Sequence, residues 1–591
     1  MMTNFTIEQK DYIQSTIDDH VYLEACPGSG KTEVVAAKVA KEISNWNKDP
    51  SGIAILSFSN SATDELKDRI GKFSTSNLKF YPHFIGTFDS FIYKYIVSPV
   101  AHKITKYSGT DDDYAIRIVE STSSLFIQTK YQYAGRGKLK ANHYSYNSDS
   151  DIFSFHTGDK IYDQSLEAMT FEHWQKKDLL DTKKKFLKAG FSTYSDIELL
   201  AIAILNDVSL SGFSEILTLR FPLIIIDECQ DLGKVQISIL HKLASFGVKL
   251  HFIGDLNQSI YAFRNSEPDN VLEFTKELGF ELFPLTKNHR SVQPIVNLCN
   301  TLVAGANVIG RTTNKTNHCI VLEYSECPTE VLPTFTRLSK PYNNNVIIAR
   351  GHSMLNKFNT SANKLNEVQK LALAITLFDI NNFVRLEKSI TLFSQYLRTL
   401  MTESVKPLSF NCPASINSPL KWRTFLFNAL IFLVEDNLND STLTWKVWTG
   451  KAKLRIKEIL KQSFVNDDIA VVLNSLSDCN IRSPNKLGQE ALEISLKVVN
   501  TPTYLFRKET VHQVKGETHD VSMFVSSAGK QGAVGANWKE WLDDPNSEYA
   551  RLAYVASSRA KELLIWVVKK LKPKEKVKLE SIGFDVIPLD D

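Results

Sequence analysis

Short apolar runs recur along this chain and end in polar or acidic residues. They are VYL at 21–23, IAILSF at 53–58, FPLIIID at 221–227 and KLHFIGD at 249–255, with helical stretches such as VVAAKVAKEI at 34–43 between them. A run that stays apolar without alternating fits a strand buried on both faces of a parallel sheet. Strands alternating with helices predict a doubly wound α/β domain whose ligands sit beyond the strands' carboxyl ends. The pattern changes twice. Between Phe91 and Tyr194 there is little α/β alternation, and TKYQYAGRGKLKANHYSYNSD mixes Lys130, Arg136, Lys138 and Lys140 with tyrosines. That composition suits an exposed nucleic-acid loop or, equally, a solvated one. From about 353 to 500, segments such as NEVQKLALAITLFDI and KWRTFLFNALIFLVEDNL have helical spacing, which predicts an all-α insertion.

At 591 residues the chain is too long for one core and predicts about three to five domains. Its 43% hydrophobic content can fill them. The longest apolar run, 425–434, is too short to cross a bilayer, and MMTNFTIEQKDY has no apolar signal core. A cytoplasmic protein with no membrane partner is expected. The net charge of +3 neither makes nor breaks a case for nucleic acid. Seven cysteines without a C-x-x-C pair argue for reduced thiols rather than a zinc ribbon or a disulfide framework.

The candidate chemistry begins in EACPGSGKT, residues 24–32. Backbone N–H groups of Ala25, Cys26, Pro27 (which lacks one), Gly28, Ser29 and Gly30 form a loop that can surround phosphate oxygens at a helix N-terminus. Lys31 would reach the β/γ-phosphates and Thr32 would hold Mg²⁺. At the end of the run 221–227, Asp227 could hold the same Mg²⁺ and Glu228 could orient or deprotonate the attacking water. ATP and Mg²⁺ are thus the expected cofactors.

An ordered series of motifs resembles the UvrD/Rep/PcrA group of superfamily 1 DNA helicases. In chain order these are FTIEQK, ACPGSGKT, SFSNSATDELKDRI, GTFDSF, YSDIELLAIAIL, IIIDECQD, GDLNQSIYAFRNS, LTKNHRS, VHQVKGETHDV and EYARLAYVASSRAKELL. The resemblance implies an α/β fold with two RecA-like P-loop motor domains and two mainly α-helical insertions. The first motor would comprise 1–94 and 195–283 with an insertion at 95–194. The second would comprise 284–352 and 501–591 with an insertion at 353–500.

Residue roles follow from the same resemblance. Gln9 would read adenine, Gln258 would sense the γ-phosphate, Arg264 would touch the nucleotide, and Arg290 and Arg559 would act as arginine fingers from the second motor. Phe58, Asn60, Thr87, Tyr261, Phe263 and His512 fall where the family contacts a single DNA strand, with aromatic faces that stack on any base. Three positions depart from the pattern. His289 replaces an adenine-stacking tyrosine. In KGETHD, Thr518 takes the place of a ribose-binding glutamate, with Gly516 and Glu517 just before it. Asp89 puts a negative charge where a histidine is common.

The implied activity is an ATP-dependent 3′→5′ helicase or translocase on single-stranded DNA, in repair or anti-phage defence. The compact length and KGETHD also resemble helicase-like subunits of Gabija-type defence systems, which implies an OLD-family nuclease partner. Two other readings stay open: a DNA-end or nucleotide sensor within a nuclease complex, and a non-catalytic scaffold with a vestigial site.

Overall fold

The computed structural model describes residues 5–73, 80–123, 127–148, 150–260, 268–305, 307–358, 365–406, 409–485, 487–496, 506–529 and 534–589. Two compact units result: Met1–Leu355 with Arg507–Asp591, and Asn356–Phe506.

The first unit is built on two six-stranded parallel sheets. In one, the strands lie in the order Glu281–Leu285, Val21–Ala25, Lys249–Gly254, Leu223–Asp227, Ile53–Ser57, Phe84–Thr87. The apolar runs read from the sequence are its inner strands, and all five residues of Leu223–Asp227 and of Ile53–Ser57 are buried. Helices cover both faces. Lys31–Ser44, for example, turns Val34, Val35, Val39, Ala40 and Ile43 inward. Because every pairing is parallel, Ala25, Ser57, Thr87, Asp227 and Gly254 end their strands along one edge.

The second sheet runs Arg507–Thr510, Asn345–Ala349, His519–Val525, Ala560–Lys569, Cys319–Tyr324, Asp585–Ile587, again all parallel. Its core includes Val321, Ile348, Leu564 and Trp566. Phe524 stacks on Trp541 with ring centroids 4.1 Å apart. The two sheets match the expected pair of RecA-like domains.

The stretch after Phe91 combines helices with short hairpins. Ser98–Thr105, Lys160–Glu167 and His173–Lys188 are helical. Gln128–Tyr133 pairs antiparallel with Gly137–Lys140, and Tyr144–Asn147 with Ile152–Phe155. The loop expected at 129–149 is therefore corrected to a hairpin with one face in a small core. Tyr133, Leu139 and Tyr144 are buried with Phe153, Phe155, Leu166 and Leu179. Asp178 fixes the hairpin by accepting from the Lys130 and Tyr131 N–H groups and the Tyr133 hydroxyl.

The second unit is helical around Trp422, Phe425, Trp445 and Trp448. Its helix Pro419–Val434 contains the longest apolar run of the chain. The indoles of Trp422 and Trp448 each donate to a main-chain carbonyl, Phe410 and Leu438, at 2.8 Å. Among the described residues no single helix is long and apolar enough to cross a membrane.

Candidate nucleotide and nucleic-acid site

The strand Val21–Ala25 delivers the loop 26–30 to the carboxyl edge of the first sheet, and Lys31 opens the following helix. Gly28 and Gly30 adopt φ of 72° and 79°. At Gly28 a Cβ would lie 2.5 Å from Arg290 Cβ and 2.7 Å from Asn288 Oδ1, so only glycine lets the loop pass beneath the segment 288–290. The His289 N–H donates to the Gly28 carbonyl at 2.8 Å, and the His289 side chain is exposed beside the loop. Cys26 N–H bonds the Leu285 carbonyl at 3.2 Å. Burial pushes the Cys26 thiol well above its ordinary range, with the Asp255 charge adding to the shift.

Gln9, expected to read adenine, holds two protein partners. Its amide oxygen accepts from Thr6 N–H at 2.9 Å, capping the helix Ile7–Gln14, and its Nε2 donates to the Ser29 carbonyl at 2.9 Å. It braces the phosphate loop from below.

Behind the loop stand the acids. Lys31 Nζ lies 3.3 Å from Asp227 Oδ1 and bonds Glu228 Oε1, while Gln230 Nε2 holds the other Glu228 oxygen. Glu228 sits in the left-handed region at φ 58°. Burial would raise its carboxyl, but Lys31 and then Lys515 outweigh that and hold it at about 2. Asp227, deeper, is raised by burial against the pull of Lys31. Glu228 is the carboxyl that the two lysines hold down, and Asp227 the more deeply buried one at the strand end.

Two arginines arrive from the second sheet's side. Arg559 is 1% exposed and uses its whole fork: Nη2 to Gln258 Oε1 at 3.0 Å and to Ser558 Oγ at 2.9 Å, Nε to the Val555 carbonyl at 3.0 Å, Nη1 to the Glu517 carbonyl at 3.4 Å. Arg290 Nη1 donates to the Ser558 carbonyl at 3.2 Å. Burial, and after it the Arg559 charge, pulls Arg290 down to about 9. Gln258 Nε2 in turn donates to Asp255 Oδ2 at 2.9 Å.

The residues fit the expected ligands. The Ser29 hydroxyl is buried without a hydrogen-bond partner, Arg290 lies against Gly28 of the same loop, and Thr32 and Asp227 are the oxygen donors that would hold Mg²⁺. Glu517, one residue before Thr518, has partners of its own. Arg507 holds both its carboxylate oxygens at 2.8 Å and His519 Nε2 lies 2.9 Å away, while Gly516 before it takes φ 88°.

The DNA candidates divide. Ser57 and Thr87 are register partners, so Phe58 and Thr87 share one end of the first sheet. Asn60 is exposed there at the start of the helix Asn60–Phe73. Phe58 stacks on Phe88, with centroids 6.3 Å apart and 6° between planes, and Thr87 caps the turn after it. His512 Nε2 lies 3.1 Å from the Ile260 carbonyl and Nδ1 lies 3.4 Å from Arg350 Nη1. Tyr261, Phe263 and Arg264 lie outside the described residues. Sequence reasoning missed Asn288, Tyr554, whose hydroxyl lies 3.5 Å from Asp255 Oδ2, and the ion pair Asp231–Lys515. Asp231 ends the quoted DECQD and Lys515 sits inside VHQVKGETHDV, but nothing local signals that they meet.

Two expected results follow. Gly28→Ala should weaken ATP binding about tenfold or more, because the Cβ clash and the positive φ add strain of roughly 1–3 kcal/mol. Titration with a fluorescent nucleotide checks this, and unchanged affinity contradicts it. Asp255, ordinarily at 3.8, is raised by burial to about 6 against its bonds from Gln258 and Asn257. The folded protein thus keeps a proton that the unfolded chain releases. That stabilisation is complete below about pH 4 and lost as pH rises through about 6. The melting temperature of Asp255→Asn should therefore gain on the wild type between these values. A constant difference contradicts the assignment.

Residues 5–279 match the model of the UvrD/REP helicase N-terminal domain. The chain is 26% identical over 308 residues to a probable DNA helicase II homolog of Mycoplasma capricolum, covering 49% of this chain and 39% of that protein. It is 27% identical over 340 residues to the ATP-dependent DNA helicase srs2 of Schizosaccharomyces pombe, covering 53% and 36%. With DNA helicase II of Escherichia coli it shares 26% over 286 residues, covering 47% and 38%. The chain spans well under half the length of these curated relatives.

Proposed function

We propose, from the premise that residues 5–279 are a UvrD/REP helicase N-terminal domain, that this chain is an ATP hydrolase that moves along single-stranded DNA. The observation that carries the reading is that Arg290, on the strand Lys287–Val292, and Arg559, just before the second sheet's strand Ala560–Lys569, meet Gly28 and Gln258, which follow strands of the first sheet. A nucleotide held by such a site touches both domains, so its hydrolysis changes how they are held together. Lys31 and the loop N–H groups would bind the phosphates, and Arg290 and Arg559 would face the charge that grows on the transferring phosphoryl group. Thr32 and Asp227 would hold Mg²⁺, which would neutralise charge on the bound phosphates. Glu228 would take the proton of the attacking water once Lys31 turns to the phosphates.

Phe58, Asn60, Thr87 and His512 would line the strand path, with Tyr261 and Phe263 as further stacking groups. The proposed direction is 3′→5′, and the proposed setting is DNA repair or phage defence in the cytoplasm, the latter with an OLD-family nuclease. Displacement of streptavidin from one or the other biotinylated end of an oligonucleotide tests the motor directly. Release from the 5′ end alone is expected. ATP hydrolysis without release from either end would favour a DNA-sensing switch instead.

A further inference from the structure

The loop 511–517, between the strands Arg507–Thr510 and His519–Val525, is fixed from within. Val511 and Val514 are fully buried, and the N–H groups of Gln513 and Val514 both return to the Thr510 carbonyl, at 3.0 and 3.2 Å. From this anchored loop two side chains reach the first sheet's domain. His512 meets the Ile260 carbonyl, two residues past Gln258. Lys515 Nζ meets both carboxylate oxygens of Asp231, at 2.8 and 2.7 Å. The two ion-pair side chains are only 9% and 10% exposed. Asp231 closes the short turn Cys229–Asp231, and its N–H donates to the Glu228 carbonyl at 2.9 Å, where Glu228 is held at φ 58°.

We propose that Lys515 and Asp231 are positioning residues that make hydrolysis depend on DNA: the pair ties the turn carrying Glu228 to the loop carrying His512. The inference rests on the functional reading above. Because Val511 and Val514 clamp the loop, a strand that displaces His512 also displaces Lys515, three residues on. A buried ion pair transmits that displacement because its attraction is strong and geometry-dependent at low dielectric, whereas an exposed one is slack.

Lys515→Met and Asp231→Asn should each lower stimulation by oligo(dT) about tenfold or more, with basal ATP hydrolysis within about threefold of wild type. Lys515→Arg should keep the stimulation. Each single variant leaves one buried charge alone and should lose thermal stability. The double variant Lys515→Met/Asp231→Asn removes both charges, so it should regain melting temperature but not stimulation. Recovery of both would show a merely structural pair and overturn the proposal, as would equal loss of basal and stimulated rates. A readout without turnover separates this inference from the functional one. In Asp231→Cys/Lys515→Cys, scored against each single variant, the rate of bismaleimide crosslinking should change at least fivefold on adding oligo(dT). A rate indifferent to DNA overturns the coupling. A DNA-dependent rate in a protein lacking stimulated ATP hydrolysis would count against the proposed function alone.

Discussion

Replacing Glu228 with Gln should lower DNA-stimulated ATP turnover by roughly 10²–10⁴-fold, the range for loss of a positioned general base. The amide keeps the shape and can still bond Gln230, but it can neither accept the water's proton nor pair with the Lys31 ammonium. Lys31 still has Asp227 at 3.3 Å and remains available to phosphate. ATP affinity should therefore stay within a few-fold while kcat collapses, the split expected for a group that acts only in the transition state. Turnover within tenfold of wild type would remove Glu228 from the chemistry.

Arg559→Lys should be at least as severe. Supplying an arginine finger is worth roughly 10³–10⁵ in turnover. A lysine keeps the charge but cannot reach Gln258, Ser558 and the carbonyls of Val555 and Glu517 in one planar fork. Each buried acceptor left unpaired costs about 1–3 kcal/mol, so the variant should also melt earlier. Gln258 loses its partner, and with it the fixed line from the second sheet to Asp255. Nucleotide binding by the phosphate loop should survive, as read by fluorescent-nucleotide titration. A folded Arg559→Lys enzyme with turnover within tenfold of wild type would contradict the finger role.

The parallel sheets were legible because central strands are apolar on both faces, and FPLIIID and IAILSF have no other simple use. The phosphate loop was legible because its residues are consecutive. What stayed hidden depends on residues far apart in the chain. The bond from Gln9 to the Ser29 carbonyl joins positions 20 apart. Lys515 and Asp231 meet across 284 positions. In the stretch after Phe91, polar composition masked the hairpin, since buried Leu139 sits between Lys138 and Lys140 and buried Tyr133 follows exposed Gln132.

ATP hydrolysis by the full chain, with and without single-stranded DNA, tests the central claim most directly, with Glu228→Gln measured alongside. Strong stimulation by DNA, abolished in Glu228→Gln, is the predicted result. A folded wild-type protein that hydrolyses no ATP with DNA present would contradict it.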